Sequence, residues 1–221
     1  MGDLLAKLVP LGLAGAVSPV AIVACIALLF SRRPVANALA YLAGVTTVLG
    51  AVGAVVLLLF GPGSVSDAES SNVVNAAELT IGVLLLVAAL VQAMGKADAG
   101  APPPGWMARL EALSPGHSYA FGVLVEATNV KRLAIYLVGL SEISSSNVSG
   151  FQAAVALAIF LALLETGMLA PIVVYAVVPD RSAAILVRLR DWLLTYNRRI
   201  LAVLFAVIGA VLVERGLSGI T

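Results

Sequence analysis

Six long apolar stretches restrict what this 221-residue sequence can fold into. A helix needs about 20 mostly apolar residues to cross the roughly 30 Å hydrocarbon core of a bilayer, and each stretch meets that length. They cover residues 4–30, 35–60, 73–94, 119–140, 151–178 and 193–213. Because backbone polar groups find no water inside a bilayer, such stretches must form helices. We therefore predict an all-α polytopic membrane protein with six transmembrane helices.

The composition excludes several classes of protein. Hydrophobic residues make up 61% of the chain and charged residues 11%. A soluble domain instead holds about 45–50% apolar residues and about 25% charged residues. The single cysteine, Cys25, excludes an internal disulfide and a thiolate zinc cage. No phosphate-binding glycine loop, metal-ligand cluster or nucleophile with a nearby base stands at recognisable spacing. We expect no enzyme activity, no metal, no cofactor and no nucleic-acid partner.

The basic residues predict the orientation, because positively charged loops stay on the cytoplasmic side of the membrane. Lys and Arg occupy the connectors after helices 1, 3 and 5, namely Arg32, Arg33, Lys96, Arg109, Arg181, Arg188, Arg190, Arg198 and Arg199. The connectors after helices 2 and 4 carry Asp67, Glu69 and Glu142 and neither Lys nor Arg. We therefore expect a multi-pass protein of the cytoplasmic (inner) membrane, with both termini outside.

A proline-rich linker, KADAGAPPPGW, divides the helices three and three. We predict a first three-helix repeat over residues 1–95, a cytoplasmic linker over 96–117 and a second repeat over 118–221. Three spans are an odd number, so the two copies have opposite orientations, a 3+3 inverted-topology repeat. This plan is common in secondary transporters, whose site lies near the bilayer midplane at the repeat interface.

Polar residues at the midpoints of helices 1, 2, 4 and 5 predict the site. Polar and ionisable side chains inside a membrane face the protein interior or a wet cavity, where they mark transport paths. The candidates for binding a substrate or ion are Ser18, Pro19, Thr46, Thr47, Glu126, Asn129, Lys131, Arg132, Glu165 and Thr166. The alternative is an inert buried ion pair between Glu126 and Lys131 or Arg132, with a simple kink at Pro19.

Two helices are candidates for a break at this depth. Pro19 lacks an amide hydrogen and frees carbonyls near Gly15 and Ala16, which is tolerated only inside protein or beside a cavity. On an unbroken helix 4, Glu126 and Arg132 share a face and Lys131 points the other way. A break at Asn129 resets that phase, so which cation enters the site is left open.

The segment before helix 6, residues 182–199, alternates apolar and basic residues. It suits an amphipathic interfacial helix on the cytoplasmic side, with anionic lipid headgroups as partners. It equally suits the end of helix 6 itself, with side chains that reach to the membrane surface.

Three segments resemble a known family: SPVAIVACIALLFSRRPVANALAYLAGV, TNVKRLAIYL and LRDWLLTYNRRILAVLFAVIGAVLVERGL. They are similar to the sulfolipid- and peptidoglycolipid-addressing proteins, a branch of the lysine-exporter superfamily of six-helix transporters. The most specific positions are Ser18, Pro19, Phe30, Ser31, Arg32, Pro34, Asn37, Trp192, Asn197, Gly209, Gly216 and Leu217. Where the family commonly has Asn-Pro-Lys in helix 4, this chain has Asn129, Val130 and Lys131.

The resemblance implies export of a cell-envelope glycolipid, and the wider superfamily implies export of amino acids or cations. We expect a secondary transporter or flippase that moves an anionic or glycosylated lipid outward. Lys131 and Arg132 would attract the headgroup, and Asn129 and Ser18 would hydrogen-bond it. Glu126 or Glu165 would take up a proton, and Glu165 is the better carrier because no cation lies close to it in sequence.

Two other functions stay open. The first is an exporter of a small solute, an amino acid or a cation, through the same site. The second is a non-transporting membrane scaffold that recruits envelope-lipid synthesis enzymes to its basic cytoplasmic face. The long helices rich in Gly and Ala also allow a homodimer without requiring one.

Overall fold

The computed structural model describes residues 1–59, 68–94, 106–110 and 112–218, and every regular element in these ranges is an α-helix. The predicted all-α class is therefore confirmed. The helices are α1 (Gly2–Ala16), α2 (Pro19–Leu29), α3 (Pro34–Leu59), α4 (Ala68–Met94), α5 (Trp106–Leu110), α6 (Pro115–Ala127), α7 (Val130–Ser144), α8 (Gly150–Val177) and α9 (Pro179–Ser218).

Several of the described helices are long and apolar enough to span a bilayer. Three qualify singly, over Pro34–Leu58, Gly150–Val177 and Pro179–Ser218, and α1 with α2 makes a fourth as a bent pair. In α4 the apolar part that qualifies by composition, Gly82–Met94, is shorter than a span, and α6 with α7 carries the charged cluster. The chain is thus a membrane-embedded helical protein, and six spans stay a prediction.

Both candidate breaks, which the sequence left open, are present in the structure. α1 ends at Ala16 and α2 begins at Pro19, with an angle of 60° between them. α6 ends at Ala127 and α7 begins at Val130, with Asn129 as the N-cap of α7. Proline stops the first helix because it cannot donate the next backbone hydrogen bond. At the second break Asn129 starts a new helix, since its side-chain oxygen accepts a hydrogen bond from the Arg132 amide in place of a backbone carbonyl.

Three helix pairs carry most of the long-range packing. α4 lies along α9, α3 along α6, and α1 along α8. Gly44 of α3 and Gly122 of α6 allow the second contact, because a Cβ on either would collide with backbone of the other helix at Tyr119 or Tyr41. Such close backbone approach through small residues is the usual way helices associate in a bilayer, where apolar side chains gain little from leaving lipid.

The turn between α2 and α3 explains part of the sequence pattern. The Ser31 hydroxyl donates to the Leu28 carbonyl, and the Asn37 amide donates to the Ser31 hydroxyl at 2.7 Å and the Leu113 carbonyl at 2.8 Å. Asn37 therefore ties this turn to the segment that enters α6. The family-like Ser31 and Asn37 have a structural role at one end of the bundle, away from the midplane.

The segment 182–199 belongs to one continuous helix. α9 runs for 40 residues, which is about 60 Å at 1.5 Å per residue and twice the hydrocarbon thickness. The basic first half of α9 is therefore the extension of the last apolar helix, as in the second alternative. α8 is likewise continuous through Pro171.

The proposed division at the linker lies mostly outside the described residues, which resume at α5 after residue 105. α5 packs against α2, and α6 already begins at Pro115. The repeat boundaries stay a prediction.

Candidate functional site

The two helix breaks meet in the middle of the structure. The Lys131 ammonium, at the start of α7, donates to the Val17 carbonyl at 2.7 Å. Two residues earlier, the Asn129 amide donates to the Ser18 hydroxyl at 3.3 Å. The break in one half of the chain therefore contacts the break in the other half.

The break at Asn129 decides which cation enters the site. Lys131 turns toward the first break and lines a cavity there, whereas Arg132 is 1% exposed and points into the protein. The carbonyl that Lys131 takes up is that of Val17, one residue beyond the two that we expected proline to free. Val17 is the C-cap of α1 with non-helical dihedral angles, so its carbonyl turns away from the α1 axis.

Arg132 forms a buried ion pair with Glu126. One guanidinium nitrogen lies 3.0 Å from the Glu126 carboxylate, and another donates to the Leu164 carbonyl of α8 at 3.1 Å. Both side chains are almost wholly buried, at 1% and 0% exposure. Within the described structure, the second Glu126 oxygen and Arg132 Nε have no hydrogen-bond partner, so this pair keeps unsatisfied polar atoms in the core.

Glu165 lies next to this pair and contacts α3. Its carboxyl oxygen is 2.5 Å from the Thr46 hydroxyl, which also lies 2.9 Å from the Leu42 carbonyl of its own helix. A hydroxyl carries one hydrogen and can donate to only one of these acceptors. If the Thr46 hydroxyl donates to the Leu42 carbonyl, the Glu165 carboxyl must be protonated to donate to Thr46. If Glu165 is ionised, the Thr46 hydroxyl must donate to Glu165 and give up its hydrogen bond to Leu42.

Thr47 and Thr166 lie apart from this cluster. Both are exposed, and their hydroxyls donate to carbonyls of their own helices, Ala43 and Leu163. Thr47 also accepts a hydrogen bond from Tyr119 of α6 at 3.1 Å. Their neighbours Thr46 and Glu165 turn inward because adjacent positions on a helix are about 100° apart.

A cavity of about 320 Å³ lies beside Lys131. Its polar lining comes from the two breaks: Ser18, Thr128, Asn129 and Lys131. Its other walls are apolar and include Val125 of α6 with Leu201 and Phe205 of α9. The cavity thus has a polar, positively charged end and apolar sides, a combination that suits part of an amphiphile.

Helix α2 adds backbone donors to the same cavity. Val20 and Ala21 line it, and their amides precede the first intrahelical bond of α2, which the Ile22 amide makes to Ser18. The Ser18 side chain does not cap these amides. Free amides at a helix N-terminus favour negative charge, so amides and ammonium together favour an anion.

A second groove, of about 450 Å³, is lined by Val17, the residue before Ser18. Its walls are almost entirely apolar, from Val17 and from Ile200, Val203 and Leu204 of α9. Trp192 and Tyr196 close one end, their ring centres 5.8 Å apart, and the Arg199 guanidinium lies 5.7 Å from the Tyr196 ring. Val17 therefore lines the apolar groove, while the next residue, Ser18, lines the polar-ended cavity.

Sequence reasoning missed the contribution of the last helix. Leu201 and Phe205 look like ordinary apolar residues of a scaffold helix, and no local signal distinguishes them. It also missed the Val17 carbonyl, although the Ser-Pro step beside it was the available signal. In the described part of the chain, no group of three or more His, Cys, Asp or Glu side chains is placed to hold a metal ion.

One comparison with known proteins identifies the chain. The family model described as "Sap, sulfolipid-1-addressing protein" matches residues 8–218, almost the whole sequence. A search of curated proteins found no match. A search of solved structures also found none.

Proposed function

The chain belongs to the family of Sap, the sulfolipid-1-addressing protein, and on that premise we propose that it moves an anionic lipid outward across the cytoplasmic membrane. Membership of the wider lysine-exporter superfamily is part of the proposal. The single observation that carries it is the cavity at the crossed helix breaks, which combines one ammonium and free helix amides with apolar walls.

The size of the cavity favours a headgroup over a whole lipid. About 320 Å³ is at the lower end of the 300–1,000 Å³ range of small-molecule pockets. A sugar-sized anionic group fits beside Lys131, while acyl chains stay outside against apolar helix surfaces. The groove at Val17 offers one such surface, since its lining is apolar and adjoins the cavity at the same break.

The packing supports the inverted repeat on which transport depends. Exchanging the two copies pairs α1 with α6, α2 with α7, α3 with α8 and α4 with α9. The contact between α3 and α6 then corresponds to the contact between α8 and α1, and both are among the most extensive helix–helix contacts. The α4–α9 contact maps onto itself. This pattern is the one expected of two copies related by a pseudo-two-fold axis.

Glu165 is the proposed proton carrier. It is buried and bonded to the Thr46 hydroxyl, whereas Glu126 is held directly by Arg132. Arg132 is nevertheless close to Glu165 in space, because its guanidinium also donates to the carbonyl of Leu164, the residue before Glu165. Gain or loss of a proton at Glu165 requires the Thr46 hydroxyl to exchange acceptors, which couples the carboxyl to the α3 backbone.

Cells with and without this protein provide the test. We expect one anionic glycolipid to accumulate in the cytoplasmic membrane and to be depleted in the outer envelope when the protein is absent. If lipids are unchanged while an amino acid or cation accumulates in the cytosol, the small-solute exporter replaces this function. If only removal of Arg188, Arg190, Arg198 and Arg199 has an effect, the scaffold does.

Replacing Glu165 with Gln should abolish the pH dependence of transport. A Gln side chain can donate to Thr46 while Thr46 donates to Leu42, so it imitates the protonated carboxyl in a fixed state. The measurement is lipid transfer in proteoliposomes across a series of pH values. Glu214→Gln, which changes an exposed carboxyl near the end of α9, is the matched control and should keep the wild-type profile. A wild-type profile for Glu165→Gln would remove Glu165 as the carrier.

A further inference from the structure

Each break divides a helix into two half-helices, α1 and α2 at the first and α6 and α7 at the second. The half-helices pack against each other unequally. α1 lies against α7, and a Cβ on Gly15 of α1 would lie 3.4 Å from the Ile135 side chain of α7. Leu4, Leu8 and Leu11 of α1 are buried, as are Val138 and Ile143 of α7. In the proposed orientation these two half-helices occupy the outer half of the membrane, so the outer side of the site is closed.

The inner half-helices α2 and α6 are arranged differently. Pro19, Val20 and Ala21 of α2 and Val125 of α6 all line the cavity beside Lys131. The cavity therefore lies between the start of α2 and the end of α6 at the level of the breaks, and these two half-helices have no contact comparable to that of α1 with α7.

If the two copies are related by symmetry, this difference between the α1–α7 and α2–α6 pairs indicates that the structure represents one of two conformational states. Exchanging the two copies maps the α1–α7 contact onto an α2–α6 contact, so a symmetric molecule would have both or neither. We infer that α1 and α7 form an outer gate, closed in this structure, whose latch is the ion pair between Lys7 and Glu142. The inference rests on the proposed transport function for its orientation and predicts a second state in which α2 meets α6 and the latch is open.

The latch lies at the outer end of the gate. Lys7 Nζ is 2.8 Å from a Glu142 carboxylate oxygen, with the two side chains 55% and 14% exposed. Counted from the breaks at Val17 and Val130, the two residues lie about 15 and 18 Å along their helices at 1.5 Å per residue. The pair thus joins α1 to α7 at matching heights, far from the cavity and from the buried Arg132–Glu126 pair.

An exposed ion pair is weak, which suits a contact that has to open and close. Such pairs contribute from almost nothing to about a fivefold change in an equilibrium. Removing one partner should therefore shift the gate toward its open state without unfolding the protein. Exchanging the two charges should restore the closed state, since the attraction between them is the same.

The experiment places a reporter thiol inside the gate. Leu11→Cys replaces a buried residue of α1, and the native Cys25 is fully buried and stays in place. Labelling by a membrane-impermeant maleimide from the outside should accelerate about threefold to fivefold in Lys7→Gln and in Glu142→Gln. The double exchange of Lys7→Glu with Glu142→Lys should return the rate to that of the parent. Asn147→Cys, at an exposed position between α7 and α8, serves as the control thiol and should label equally in all backgrounds.

Unchanged Leu11→Cys labelling in both neutralised variants would overturn the latch, as would failure of the charge exchange to restore it. Melting temperatures within a few degrees of the parent exclude loosening of the whole fold as the cause of faster labelling. The assay contains no cargo, so it separates the two proposals. If labelling is faster but the protein transfers no lipid, the proposed function is refuted and the gate is still supported. If the thiol is labelled only from the cytoplasmic side, the outer position of the gate is refuted.

Discussion

Replacing Arg132 with Met is expected to lower the free energy of unfolding by about 3–5 kcal/mol, because it leaves the Glu126 carboxylate buried without its cation. Glu126 is 0% exposed and bonded to Arg132 at 3.0 Å. Its other oxygen has no hydrogen-bond partner within the described structure, so no second hydrogen bond described there replaces the one that is lost. The measurement is reversible unfolding in mixed micelles with an increasing fraction of denaturing detergent.

The double replacement of Glu126 and Arg132 by Met should recover most of that loss. Buried ion pairs are often no more stabilising than apolar side chains of similar volume, since burial costs each charge its hydration. Arg190→Met is the matched control: Arg190 pairs with Asp191 on the exposed part of α9, and its loss should cost about 1 kcal/mol or less. If Arg132→Met is as stable as Arg190→Met, then Arg132 and Glu126 do not form the buried ion pair described above.

Replacing Lys131 with Met should reduce lipid transfer about tenfold to a hundredfold while the protein stays folded. The reduction corresponds to loss of a hydrogen bond from a charged donor, about 1.5–3 kcal/mol. Lys131 lines the cavity and is bonded to the Val17 carbonyl, so the ammonium both neutralises a headgroup and holds the two breaks together. Transfer of an anionic lipid between the leaflets of proteoliposomes is the measurement.

Two controls separate charge from shape at Lys131. Lys131→Arg keeps the charge and should retain a substantial part of the activity. Arg109→Met removes an exposed cation from α5 and should have no effect. Equal transfer by the wild type and Lys131→Met would mean that the cavity is not the path of the headgroup. Equal loss for neutral and anionic lipids would mean that Lys131 supports the structure and does not select for charge.

Much of the architecture is predictable from local features. The apolar lengths predict helices because a bilayer leaves the backbone no other partners. The described helices follow those stretches within about five residues, except that α9 begins at Pro179, fourteen residues before the predicted start. The breaks at Pro19 and Asn129 are also local, since each depends on one residue's backbone chemistry. The matched polar depths of helices 1 and 4 were enough to anticipate that Ser18 and Asn129 would lie close together.

Contacts that depend on how one helix is rotated against another were not predictable. Lys131 and Arg132 are adjacent, yet one faces the cavity and the other is buried against Glu126. Thr46 and Thr47 are adjacent, yet only Thr46 bonds Glu165. Lys7 and Glu142 are separated by 135 residues, and nothing in the sequence indicates that they form a pair.

The sequence by itself determined the membrane-embedded helical class, the approximate positions of most helices and the two candidate positions for a break. These depend on hydrophobicity, length and the chemistry of single residues, which act over one or two turns. Only the tertiary structure decided which cation lines the cavity, which carboxyl is paired with Arg132 and which half-helices are in contact. Those outcomes depend on the rotation of each helix and on close glycine contacts such as Gly44 with α6, and no local pattern encodes the relative rotation of two distant helices.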